Sequence, residues 1–131
     1  MAEIQEGPGG DLTQLVRTMP ADTNPFGDIF GGWLLSQMDL AGGTYAENRA
    51  RGRTATVAIK EMTFHEPVLV GDLLACYCST EREGRTSITV KIEAWVLVRR
   101  NQQTRIKVTE GIFTYVAMGD DRKSRPLPPK E

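Results

Sequence analysis

Three groups of residues have the types and spacing to do chemistry. The first is Asp39, set between Met38 and Leu40 and one helical turn from Leu35, Ser36, Gly42 and Gly43. Aspartate is a poor helix former, and an ionised one taken out of water costs free energy, so its place in an apolar stretch asks for a reason. A structural reason would be an arginine or backbone N–H from a neighbouring strand. A chemical reason would be a carboxylate that attacks an activated carbonyl, or that takes a proton from an attacking water. Both routes use the ionised form. The second group is Gly31-Gly32, just before a helical pattern, where unpaired N–H groups and the positive end of the helix dipole favour negative charge. A carbonyl placed there finds donors for its developing oxyanion. The third is Asn24, whose carboxamide both donates and accepts. Turn chemistry explains the glycines and Asn24 when each is taken alone; together with Asp39 they outline a site.

A change of period along the chain positions these residues. Residues 11–19 alternate as one strand, with Leu12, Leu15 and Val16 as its apolar content, and Met19-Pro20 ends it. Residues 20–32 are dense in turn-formers: Asp22, Asn24, Pro25, Gly27, Asp28, Gly31 and Gly32. Residues 33–51 read as a helix, with Leu34, Met38, Ala41 and Tyr45 on one face. Trp33, Leu35, Leu40 and Ala46 carry the apolar surface around it, so the helix should be buried on most sides. Gly42 and Gly43 each cost about 1 kcal/mol against alanine mid-helix, so something should need the room they leave beyond Asp39.

The rest reads as sheet. Strands are expected at 54–66, at 72–83 after a Val70-Gly71-Asp72 turn, at 86–100, and at 104–118 after a turn at Asn101-Gln102-Gln103. In 86–100, Ile88, Val90, Ile92, Ala94, Val96 and Val98 face one way and Thr89, Lys91, Glu93 and Arg99 the other. One strand, one buried helix and a meander of long antiparallel strands make an α+β arrangement in which the sheet wraps the helix. We expect one domain over 11–118, a loose lead-in over 1–10, and a Pro-rich charged tail over 119–131 that cannot pair as a strand.

Composition narrows the classes. A chain of 131 residues suffices for one core. A net charge of −1 gives no basic field for a nucleic-acid backbone. No apolar run approaches the roughly 20 residues of a membrane span. Cys76 and Cys78 point the same way along one strand, a poor geometry for bridging. With one histidine in the chain, they cannot complete a four-ligand zinc site within it. We therefore expect no metal and two buried, reduced thiols. Reduced thiols and the lack of a charged-then-apolar leader point to the cytoplasm.

The ordered string Pro20-Ala21-Asp22-Thr23-Asn24-Pro25-Phe26-Gly27-Asp28-Ile29-Phe30-Gly31-Gly32-Trp33, continued by Ser36-Gln37-Met38-Asp39, resembles the hotdog-fold acyl-CoA thioesterases, above all the single-domain bacterial YciA type. The match continues through Phe64 with Pro67, Val70-Gly71-Asp72 and Gly84-Arg85-Thr86-Ser87, and covers roughly residues 11–126. The resemblance implies hydrolysis of acyl-coenzyme A with no cofactor, by a homodimer that assembles into a hexamer, each active site lying between protomers. It implies that Asp39 is the catalytic aspartate, that Asn24 acts with the aspartate of the partner protomer, and that Gly31 and Gly32 polarise the carbonyl. Gly84, Arg85, Thr86 and Ser87 would lie near bound coenzyme A, with Arg85 meeting a phosphate. The backbone of Val57 and Ala58 would meet the pantetheine arm. Arg122, Lys123 and Arg125 read better as a solvated charge run than as nucleotide ligands. His65 falls where relatives vary and reads as non-catalytic, and Leu35, Met38, Phe64 or Tyr45 would tune chain length. A hotdog dehydratase needs a histidine in 20–51, which holds none, and a non-catalytic acyl-CoA sensor has no use for both Asn24 and Asp39.

Overall fold

The computed structural model describes residues 7–98 and 105–130. Strand β1 (Asp11–Arg17) leads through a 3-10 turn at Pro20–Asp22 to the helix α1 (Gly31–Ala50). Strands β2 (Thr54–Phe64), β3 (Leu73–Glu83), β4 (Ser87–Val98) and β5 (Ile106–Ala117) follow. All pairings are antiparallel, in the order β1-β3-β4-β5-β2. The expected Asn101-Gln102-Gln103 turn, Arg99 and residues 1–6 of the lead-in lie outside the described residues.

The strand order corrects the simple meander. β3, β4 and β5 do run as neighbours, but β1 takes the place beside β3, and β2 pairs with β5 at the opposite edge. The cause lies in residues 65–72. They pair with the loop before the helix instead of turning back: the Ile29 N–H donates to the Val68 carbonyl at 3.0 Å, and Asp28 bridges to Leu69.

The helix starts at Gly31 rather than Trp33, so the glycine pair forms its first turn. Phe30 stands extended before it, and its carbonyl accepts the N–H groups of Trp33 and Leu34 at 3.1 and 3.3 Å. At the other end Arg51 turns left-handed (φ 54°), and the Gly52 N–H returns to the Glu47 carbonyl at 3.2 Å. Arg125 from the tail adds a cation there, its Nη2 donating to the Ala50 carbonyl at 2.9 Å. Its role is thus to end the helix, while Arg122 and Lys123 stay exposed. The tail is held down further by N–H donation from Arg125 to Ala117 and from Leu127 to Arg85, each at 2.9 Å.

Leu34, Met38, Ala41 and Ala46 form a buried stripe on α1, packed with Leu74, Cys76, Cys78, Ile88, Val90, Ile92, Phe113 and Tyr115 from the sheet. Burying a side chain such as Met38 stabilises by about 1.5–3 kcal/mol. Val108 joins this core despite its phase relative to Phe113, because a bulge opposite Ala94 and Trp95 shifts β5 by one residue. Two expectations need correction. The helix is covered on one side only: Leu40 is 57 % exposed, as are Val57 (56 %) and Phe64 (56 %) on β2, because one sheet cannot enclose a helix. Glu93, expected at the surface, is only 7 % exposed. Trp95 Nε1 donates to it at 3.0 Å, and Gly9, itself exposed, runs close to its carboxylate.

Candidate active site

Asp39 lies half-buried on the flank of α1 that faces β2 and β5. Thr56 Oγ1 donates to its Oδ1 at 2.8 Å, and Tyr115 Oη donates to the same oxygen at 3.0 Å. No described residue donates to Oδ2. Sheet register makes this clamp, since Thr56 and Tyr115 are directly opposed across β2 and β5. Among the described residues, neither an arginine nor a strand backbone donor meets it. Two neutral hydroxyls fix the orientation of the carboxyl without an ion pair.

Tyr115 is 1 % exposed. Burial, and next the charge and hydrogen bond of Asp39, push its phenol far above the ordinary range, so it remains a donor. Gly42 makes the arrangement possible: a Cβ there would strike the Tyr115 hydroxyl and the Ile92 Cδ1 methyl. The room expected at the glycine pair is therefore occupied by Tyr115, and Gly43 meets nothing closer than ordinary contact.

The other sequence-predicted residues fall into two sets. Val57 and Ala58 adjoin Thr56. The ladder passes from Thr56–Tyr115 to Ala58–Thr114, so Val57 is a bulge residue, and its backbone stands outside the β2–β5 pairing. Gly84, Arg85, Thr86 and Ser87 form the β3–β4 turn, closed by the Gly84 N–H on the Ser87 carbonyl at 2.9 Å. Val116 pairs with Ser87 on one side and Ala55 on the other, which puts this turn at the same sheet end as Thr56, two strands or about 10 Å across. Arg85 is exposed there.

Asn24, Gly31 and Gly32 make the second set. Asn24 Oδ1 accepts the N–H groups of Phe26 and Asp28 at 2.9 and 3.1 Å, fixing the loop and leaving its NH2 without a partner among the described residues. The first helical turn carries no capping side chain and no acidic residue; with the Trp33 and Leu34 N–H groups on the Phe30 carbonyl, those of Gly31 and Gly32 remain to meet an anion. Gly31 also borders a cavity of about 310 Å³ walled by Ile29, Leu34, Phe64, Pro67 and Val68. Asp39 stands seven residues beyond Gly32, about 10 Å along the axis, and no hydrogen bond joins it to Asn24. One chain thus keeps the two sets apart.

The remaining reactive types are engaged elsewhere. His65 Nε2 lies 2.9 Å from Glu110 Oε2. The Cys76 and Cys78 thiols are wholly buried, and burial pushes them up to about 12 and about 11, so they stay protonated. Thr56 and Tyr115 escaped sequence reasoning. Each fits an ordinary strand pattern, and the one hint was a mid-helix glycine with no visible reason.

The fold and site define a class: a single helix cradled by a five-stranded antiparallel sheet, the hotdog architecture, with a carboxylate held open on its uncovered flank. Residues 26–101 match the thioesterase superfamily, and the chain belongs to that superfamily. It is 47 % identical over 130 residues to the acyl-CoA thioester hydrolase YciA of Salmonella typhimurium, covering 98 % of each chain. Among solved structures, the hexameric thioesterase of Yersinia pestis is 48 % identical, with 93 % of this chain and 99 % of that one covered and a TM-score of 0.89. A hexameric broad-specificity acyl-coenzyme A thioesterase, crystallised as an aspartate-to-alanine mutant, is 41 % identical with a TM-score of 0.89, covering 92 % of this chain and 88 % of that one. No described helix is long and apolar enough to cross a membrane, and no three described His, Cys, Asp or Glu residues group as metal ligands.

Proposed function

We propose that the protein hydrolyses acyl-coenzyme A to a carboxylic acid and coenzyme A, at sites that each combine the two half-sites of neighbouring protomers. The observation that carries this reading is Asp39, with Oδ1 clamped by two hydroxyls and Oδ2 left open on an apolar, uncovered flank. Oδ2 either attacks the thioester carbon or takes a proton from the water that does; the carbonyl oxygen, as it gains charge, is met by the Gly32 N–H at a helix N-terminus. Collapse of the tetrahedral intermediate expels the coenzyme A thiolate, a ready leaving group; where Oδ2 has attacked, water then cleaves the acyl–Asp39 anhydride, so either route ends in carboxylic acid and coenzyme A and asks for no cofactor or metal. The unpartnered Asn24 NH2 orients the reacting carbonyl or water. Val57 and Ala58 take the pantetheine arm along the bulged edge, and Arg85 meets a phosphate at the β3–β4 turn.

Pairing two protomers across β2 and the open flank of α1 covers Leu40, Val57 and Phe64 and brings Asn24 and Gly32 of one chain towards Asp39 of the other. Homodimers assembling into hexamers, as in the hexameric relatives, complete the molecule. Two reduced, buried thiols suit a cytoplasmic setting. A dehydratase reading finds no support, since His65, the one histidine, is held by Glu110.

Co-expression of Asn24→Ala and Asp39→Ala chains tests the shared site. Each variant alone should be inactive. Random pairing should restore about a quarter of wild-type turnover, because half the dimers carry one intact site in two. No recovery from verified mixed dimers would place both residues in one chain's own site.

A further inference from the structure

The Tyr115 hydroxyl has a position that core packing does not account for. A buried phenol needs one acceptor. The hydroxyl reaches the Asp39 main-chain carbonyl at 3.3 Å, an oxygen that also serves the helix ladder, and comes closer to the side-chain Oδ1 at 3.0 Å. The ring is held from several sides. Phe113 stacks on it at 6.4 Å between centroids with 12° between planes. The helix gives up a side chain at Gly42 to admit the hydroxyl, at a cost in propensity. Thr56 approaches Oδ1 from the paired strand.

We propose that Tyr115 is a positioning residue for the reaction: with Thr56 it fixes Oδ1 of Asp39, so that Oδ2 alone is presented to the thioester or to water. Tyr115 itself, sealed beneath the helix, touches no substrate. Its proton stays on the phenol throughout, and the hydrogen bond keeps one rotamer of the carboxylate in place before substrate arrives. The inference rests on the reading of Asp39 as the catalytic group and adds the residue that aims it.

The test is steady-state hydrolysis of hexanoyl-CoA by the intact oligomer, comparing wild type, Tyr115→Phe, Asp39→Asn and the double variant. Loss of one hydrogen bond to a charged group predicts that Tyr115→Phe lowers kcat about ten- to a hundred-fold. KM should stay within about twofold and the melting temperature should fall by no more than about 5 °C, leaving the enzyme folded at the assay temperature, because the ring and its packing remain. The double variant should be no slower than Asp39→Asn, since Tyr115 acts only through Asp39. Wild-type kcat in Tyr115→Phe, or the same fold-loss repeated on top of Asp39→Asn, overturns the proposal. Replacing Tyr115 with 3-fluorotyrosine, which keeps the shape and strengthens the donor, must also change kcat; an unchanged kcat there overturns it too. Full activity in Asp39→Asn would instead remove the catalytic reading of Asp39, and no turnover by wild type on any acyl-CoA would remove the hydrolase.

Discussion

The two oxygens of Asp39 are unequal: one accepts from Thr56 and Tyr115, and the other accepts from no described residue. Thr56→Val keeps the shape and β-branching while removing one donor, so kcat should fall about ten- to a hundred-fold with a normal melting temperature. Kinetics beside a thermal melt would check this, and a loss in melting temperature with unchanged kcat would make Thr56 merely structural. The buried thiols give a second prediction. Raised well above their ordinary range by burial, Cys76 and Cys78 should react with a thiol reagent only on unfolding. Prompt labelling of native protein would contradict their placement. Asp39 could be singled out from the sequence because an acid in an apolar helix is a local anomaly. Its clamp could not, because Thr56 and Tyr115 meet it only through strand pairing across distant parts of the chain.

At the level of elements, the two mid-helix glycines look alike in sequence and differ in space. Gly42→Ala would drive a methyl into Tyr115 and Ile92 and should cost about 1–3 kcal/mol, whereas Gly43→Ala meets no such clash and should cost nothing. Chemical denaturation of both variants decides it, and equal losses would contradict the packing described. The C-terminal part of the helix is tied by Arg49, whose Nε and Nη2 reach the Glu83 carboxylate at 2.8 and 2.9 Å. That bond, first, holds Glu83 below its ordinary 4.5, as Lys107 and then His65 do for Glu110. Carboxyls with lowered folded values stabilise fully above the unfolded value and lose that contribution as pH falls through the folded one. Stability should therefore be level above about pH 5 and decline below about 4.5, less steeply in Glu83→Gln. A melting series over pH checks it, and an equally steep decline in that variant would contradict it. The helix and the long strands were legible as periodicity. The place of β1 was not, since edge order depends on residues 65–72 pairing with the loop before the helix, and alternation carries no sign of that.

On the scale of the whole molecule, one chain is an unfinished object. Leu40, Val57, Ile59 and Phe64 are exposed together with the free edge of β2, and Asp39 is remote from the helix N-terminus that would polarise its substrate. Pairing answers both. Val57→Lys with Ile59→Lys should leave smaller species and lose hydrolysis along with them, whereas wild type should sediment at six times the mass of the chain. Sedimentation with activity across the peak checks this; full turnover by a monomer would contradict the shared site. The apolar circumference of the helix read as covered by its own sheet, and pairing entered only as what the family resemblance implies, because the covering surface is not part of the chain's own fold.

The decisive measurement is thiol release by the purified protein from acyl-CoAs ranging from acetyl to palmitoyl. Release should be rapid with an optimum in chain length, and abolished in Asp39→Ala with the oligomer intact. Release no faster than in buffer at every chain length, or full release by Asp39→Ala, would contradict hydrolysis through Asp39.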